Sequence, residues 1–276
     1  MGNKVYIKRH NIISRVFHLG IMLTFLLQAA TGFSRMFITT KFGKILTGFF
    51  GGYDMALKIH FWGGILMILV FVLHVIYLFI NVDWKNWKKS IFGPDSMIPN
   101  LQDARHLLQR VLWFFGLNSP PRLERWAYWE KFGYWAVFWG VPILGVTGLM
   151  LYFPLLSSRV LPGWILNIAA LFHRAEALLA VTFIFIVHFI FGHLAPSKFP
   201  MSEVIFSGSE PLDEIEEERP AWLERLQKEG KIETATVQAP SLYFRIVYFI
   251  FGLSAFGCGV WLLINGIIYS RYIQLH

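Results

Sequence analysis

Apolar residues in this chain fall into five long runs, at residues 11–33, 56–82, 128–153, 165–194 and 242–269. Each run exceeds the roughly 20 residues a helix needs to cross the hydrocarbon core of a bilayer. Backbone polar groups in lipid must be satisfied within their own segment, so such runs fold as helices. The pattern predicts an all-α integral membrane bundle of five transmembrane helices, four of them forming the core. The expected organisation is a core over 1–201 with an interfacial loop at 83–127. An acidic linker follows over 202–241, then a fifth helix and the C-terminus over 242–276. The first run carries a histidine and no small-residue cleavage site follows it, so it reads as a retained span rather than a signal peptide.

Two segments between the runs have amphipathic patterns. Residues 103–117 suit a helix lying in the membrane interface. Residues 212–228 carry an acidic run followed by Trp222, Leu223 and Leu226, and read as a solvated helix. No repeat at solenoid spacing and no low-complexity tract interrupts the pattern.

Composition agrees with a membrane class. The chain is 55% hydrophobic and only 15% charged, against about a quarter charged in soluble domains. The net charge of +8 comes from Lys and Arg beside the apolar runs, and no nucleic-acid motif accompanies it. Four Lys/Arg lie before span 1 or in its first turn, eight between spans 2 and 3 or in the first turn of span 3, and six between spans 4 and 5 or in the first turn of span 5; the opposite face carries seven. The positive-inside rule then predicts a cytoplasmic N-terminus and an extracytoplasmic C-terminus. The single cysteine, Cys258, rules out an internal disulfide, an iron–sulfur cluster, a cysteine-rich zinc site and covalent haem attachment.

Histidine is the remaining candidate ligand. Six of the nine histidines lie in the spans: His18, His60, His74, His173, His188 and His193. An ionisable group in a span is costly and points to function. His60 and His74 are about 21 Å apart along a helix and about 40° apart around it; His173 and His188 are about 22 Å and about 60° apart. On antiparallel helices these positions form two facing pairs at two depths, as two stacked b haems with axial imidazoles require. The inner ligand facing His188 is then His74. A third haem between His18 and His193 is a further alternative. Gly63, Gly64, Gly140, Gly145 and Gly148 would let a flat macrocycle approach closely, and equally suit helix–helix packing. Lys58, Arg174 and Arg35 are candidate partners for outer propionates, and Arg15 and Lys198 for inner ones. Glu176 lies one turn after His173.

Several of these residues resemble the cytochrome b (gamma) subunits of membrane formate dehydrogenases and related bacterial cytochrome b proteins. The resemblance rests on Arg15-x-x-His18, Thr31-Gly32-Phe33, Lys58-Ile59-His60 with Gly63, Gly145-Val146-Thr147-Gly148, His173, His188 and the segment 193–201, and covers about residues 8–201. It implies a di-haem subunit exchanging electrons with the quinone pool. The outer haem would sit between His60 and His173, and the inner between His18 and His188. His74 departs from that pattern, and the 14- and 15-residue spacings resemble instead the cytochrome b of bc-type complexes, with His74 and His188 inside. The spacing favours His74, leaving His18 with His193 for quinone or a propionate.

The expected function is a quinone-reactive electron-transfer subunit of a respiratory oxidoreductase in a bacterial or archaeal inner membrane. Expected cofactors are two b haems, with menaquinone or ubiquinone as substrate. The chain has no second redox motif and no nucleotide-binding glycine loop, which implies an extracytoplasmic iron–sulfur subunit or multihaem cytochrome c as partner. A histidine-using proton or metal transporter and a cofactor-free membrane anchor are the competing classes.

Overall fold

The computed structural model describes residues 4–194, 198–199 and 201–273. Its principal elements are β1 (Tyr6–Lys8), α1 (Ile12–Met36), α2 (Lys41–Phe49), α3 (Tyr53–Ile80), α4 (Leu101–Phe114), α5 (Tyr128–Tyr152), α6 (Gly163–Gly192), β2 (Ser209–Pro211), α7 (Leu212–Glu218), α8 (Pro220–Lys228), β3 (Thr236–Val237) and α9 (Leu242–Ile268). Helices α1, α3, α5, α6 and α9 are long and apolar enough to span a membrane. The protein is a multi-pass, all-α membrane bundle, and the chain divides into two compact units.

One unit comprises Val16–Val75, Val137–Ala195 and Phe249–His276. Lipid tails are as apolar as leucine, so helices in a bilayer associate through close packing at small residues and through buried hydrogen bonds. Gly20 of α1 faces Val70 of α3, where an added Cβ would lie 3.1 Å from the valine. Gly63 of α3 admits the Gln28 side chain, which donates to the His60 carbonyl at 2.8 Å. Gly145 of α5 receives Ile68 of α3, and Phe61 stacks on Tyr152 at 3.8 Å. Phe25 of α1 meets Phe185 of α6 at 5.9 Å, which closes the ring of four helices.

The fifth span belongs to the same packing. Gly259 and Gly266 of α9 lie against Phe185 and Phe33, and an added Cβ would come within 2.7 and 3.0 Å of those rings. Leu262 joins Phe33, Phe37, Phe42 and Phe185 in one buried cluster.

The other unit comprises Met1–Arg15, Ile76–Ala136 and Pro196–Tyr248. The stretch 202–241, expected as a linker, is folded. It supplies β2 and β3, which flank β1 in an antiparallel sheet with Ile7 paired to Glu210 and to Thr236. Gly208 takes φ +84° to turn the chain into β2, and its carbonyl accepts from the amides of Arg9 and His10. The α8 segment is not solvated: Trp222, Leu223 and Leu226 are buried with Ile7 and Ile215. The acidic run before it, in α7, concealed one apolar face that Ile7 of β1 covers.

A buried charge cluster lies beside this sheet. Arg9 bonds Glu130 at 2.8 Å and Glu210 at 3.2 Å. Arg219 bonds Glu130 at 3.0 Å and Glu210 at 3.4 Å, and Lys198 bonds Glu218 at 3.2 Å. Arg219 and Glu210 are completely buried. Burial alone would raise the Glu210 pKa, but Arg9 and Arg219 outweigh it and hold the carboxyl below its usual range. Burial likewise opposes the Arg219 charge, and Glu130 and Glu210 more than offset it.

Helix α4 begins with a capping box between Asn100 and Asp103, and Asp103 also pairs with Lys131 at 2.9 Å. It leaves Leu101, Leu107, Leu108, Val111 and Phe114 exposed. An exposed apolar face on a short helix between two spans has the composition of an interfacial helix.

Candidate metal centres

Imidazoles meet in two places within the bundle. His60 of α3 and His173 of α6 have ring centres 6.2 Å apart. His18 of α1 and His188 of α6 have ring centres 6.3 Å apart. An imidazole nitrogen bonds a first-row metal at about 2.0 Å and lies about 1.1 Å from its ring centre, so two axial imidazoles on one metal have centres about 6.2 Å apart. Both pairs therefore have the spacing of trans ligands to a single ion. Among the described residues no three His, Cys, Asp or Glu side chains converge as a metal site. A pair of imidazoles alone suits a metal whose remaining positions are filled by a macrocycle, as in haem.

The first pair is held by matching hydroxyls. Thr31 Oγ1 lies 2.9 Å from His60 Nδ1, and Thr147 Oγ1 lies 3.0 Å from His173 Nδ1. Each hydroxyl also donates its proton one turn back, Thr31 to the Leu27 carbonyl and Thr147 to the Ile143 carbonyl, both at 2.6 Å. A hydroxyl that has given its proton to a carbonyl can only accept from the histidine. Both imidazoles are thereby held as the Nδ1–H tautomer, which leaves Nε2 as the nitrogen with a lone pair to offer a metal.

Gly148, after Thr147, lets the His173 ring come close, whereas a Cβ at Gly32, after Thr31, would make only ordinary contact. A Cβ on Gly32 would lie 3.5 Å from His60 Cε1, and one on Gly148 would lie 3.2 Å from His173 Cε1. The sequence signal for these positioning residues is the Thr-Gly pair repeated on spans 1 and 3, whose role spacing alone did not reveal. Thr147→Val, which keeps the shape and removes the hydroxyl, is expected to weaken haem retention at this pair about 10–100-fold. Thr147→Ser is expected to restore it, as read by haem loss to apomyoglobin.

The second pair departs from the spacing-based expectation. His188 meets His18, while His74 packs against Phe17 at 4.9 Å and Phe138 at 6.2 Å. The physical reason lies in α6, where Phe183–His188 forms a π turn. An unbroken helix places His188 about 60° around from His173. A π turn advances each residue by about 80° instead of 100°, which swings His188 back by about 100°. Gly259 of α9 makes room for Phe185 and Phe189 beside this turn.

A profile of the prokaryotic cytochrome b561 family matches residues 9–204. The chain belongs to that family. This cytochrome b561 is thus a membrane electron-transfer protein, and its family implies that it binds haem b. Comparison with curated proteins finds no match.

Other sequence-derived candidates in the cytochrome are placed as follows. His193 is buried, with its ring 5.4 Å from His188 and 6.3 Å from Phe189. Arg35 stacks over Tyr53 at 5.7 Å, and its charge acts on both His60 and His173. Arg174 is half-buried and acts on His173, and Lys58 is exposed. Glu176 reaches α5, where a Cβ on Gly140 would lie 3.1 Å from its Oε1. Arg15 lies one turn before His18 on α1 and packs on Gly208, while Lys198 is taken up by Glu218. Within the resembling segment 193–201, residues 195–197 and 200 lie outside the described residues.

Proposed function

We propose that this cytochrome passes electrons across the membrane between the quinone pool and an extracytoplasmic redox partner through two b haems. The observation that carries this reading is the pair of imidazole couples, each spaced for one metal, at two levels of one bundle. His173 and His188 lie 15 residues apart on α6, or about 22 Å along the helix. Bound haem b supplies reversible one-electron chemistry at iron.

The chain's own residues supply ligation, orientation and insulation. His60 and His173 hold the outer group, and Thr31 and Thr147 fix their tautomers. His18 and His188 hold the inner group. His193, buried beside His188, marks the end of the bundle where a quinol would give up its electrons. The excess of Lys and Arg at that end supports a cytoplasmic location for it. Arg35, and Arg174 with Lys58, are the propionate partners at the other end. The partner there would be an iron–sulfur subunit or a multihaem cytochrome c, which makes this chain the quinone-reactive subunit of a larger oxidoreductase. A metal-transport reading has less support, since His74 contacts phenylalanines and, among the described residues, no third ligand joins either pair.

The test is haem quantification of the purified cytochrome, followed by addition of a menaquinol or ubiquinol analogue in nanodiscs. Two haems per chain, both reduced by quinol, is the expected result. One haem or none, or haems that quinol leaves oxidised, overturns the reading.

A further inference from the structure

A groove of about 310 Å³ opens in the unit that contains the sheet. Its wall includes the cationic side chains Lys8, Arg9, Arg125 and Lys231, and among the described residues no carboxylate lines it. Arg9 is neutralised from behind by Glu130 and Glu210, and Arg125 by Asp95. Lys8 is exposed, and Lys231 pairs with Glu229 in a solvent-exposed contact, which contributes little and exchanges readily. The groove therefore offers two ammonium groups to an incoming anion.

Neutral donors stand beside them. Asn11 and Ser14 line the same groove, as does Thr234, whose hydroxyl already donates to the Lys231 carbonyl. Asn11 and Ser14 lie at the start of α1, where the positive end of the helix dipole favours an anion. Trp126 also lines the groove. It lies two residues before α5 begins, and its indole N–H donates to the Asp95 carbonyl at 2.9 Å. The groove thus sits where two membrane-spanning helices begin, beside an indole, a side chain enriched at membrane–water interfaces.

We propose that this groove binds the phosphate of an anionic phospholipid headgroup, held by Lys8 and Lys231 with hydrogen bonds from Ser14 and Asn11. The position at the mouths of α1 and α5 selects a lipid phosphate over a free one. The site is independent of the haem reading.

The test is native mass spectrometry of the purified holo-cytochrome titrated with phosphatidylglycerol, with phosphatidylcholine and inorganic phosphate as separate arms. One phosphatidylglycerol per chain is expected, with weaker phosphatidylcholine binding and no displacement by millimolar phosphate. Lys8→Glu with Lys231→Glu is expected to weaken phosphatidylglycerol binding about tenfold or more, with haem content unchanged. Arginine at both positions is expected to preserve binding. Equal binding by the charge-reversed chain, equal binding of phosphatidylcholine, or displacement by inorganic phosphate overturns the proposal. If the charge-reversed chain does not fold, the alanine pair gives the same comparison.

Discussion

His18→Ala is expected to halve the haem content of the purified cytochrome, whereas His74→Ala is expected to leave it unchanged. The two residues lie at the same end of the bundle, near the start of α1 and the end of α3. Only His18 has its ring centre at the 6.3 Å from His188 that one metal between two imidazoles demands. His74 is enclosed by Phe17 and Phe138, and its removal leaves both imidazole pairs intact. A pyridine haemochrome assay measures the loss, and low-temperature difference spectra show which α-band disappears. His60→Ala should remove the other band. If haem is lost in His74→Ala and kept in His18→Ala, the inner site lies between α3 and α6 and His18 is not a ligand.

Arg219→Met is expected to destabilise the unit around the sheet by about 3–5 kcal/mol, the cost of leaving a buried charge uncompensated. Arg219 is completely buried and contacts Glu130, Glu210 and Glu218. Without it Arg9 is left with Glu130 and the buried Glu210, helped only by the charge of Lys198. Lys4→Ala is the control, because its pair with Asp213 is exposed to solvent, and no measurable change is expected. Limited proteolysis between α6 and α9 reads the effect locally. Faster cleavage in Arg219→Met at full haem content would place the damage in this unit rather than in the bundle. Wild-type resistance in Arg219→Met would show that the cluster does not hold the unit together.

Much of the membrane architecture was legible in the sequence, because a span is a matter of length and hydropathy. All five runs correspond to long helices, with ends differing by a few residues. The approach of His60 to His173 was also legible, since both lie on uninterrupted helix near the beginnings of α3 and α6. The inner pairing was not. It depends on where α6 relaxes from α to π geometry, and the run Phe183–His188 carries no glycine or proline to announce it. The threonines were visible as a motif but not as orienting groups, because a hydroxyl's role depends on which carbonyl takes its proton. Residues 202–241 were illegible for a different reason. Their acidic side chains suggested solvent exposure. The partners that neutralise Glu210 and Glu218 are Arg9, Lys198 and Arg219, distant or basic positions that composition cannot connect.

The π turn of α6 also bears on how far apart two ligands on one helix can stand. Fifteen residues with one π turn bring the second imidazole to nearly the same azimuth as fourteen residues of regular α-helix, about 40° back from the first. The turn absorbs one extra residue locally and spares the ligands on either side of it. Deleting a single residue from 184–187 should then leave both imidazoles facing their partners, by straightening the helix rather than rotating it. The 15-residue spacing with a π turn and the 14-residue spacing without one are thus equivalent, and a search for chains of this kind by one fixed histidine spacing would discard members with the other.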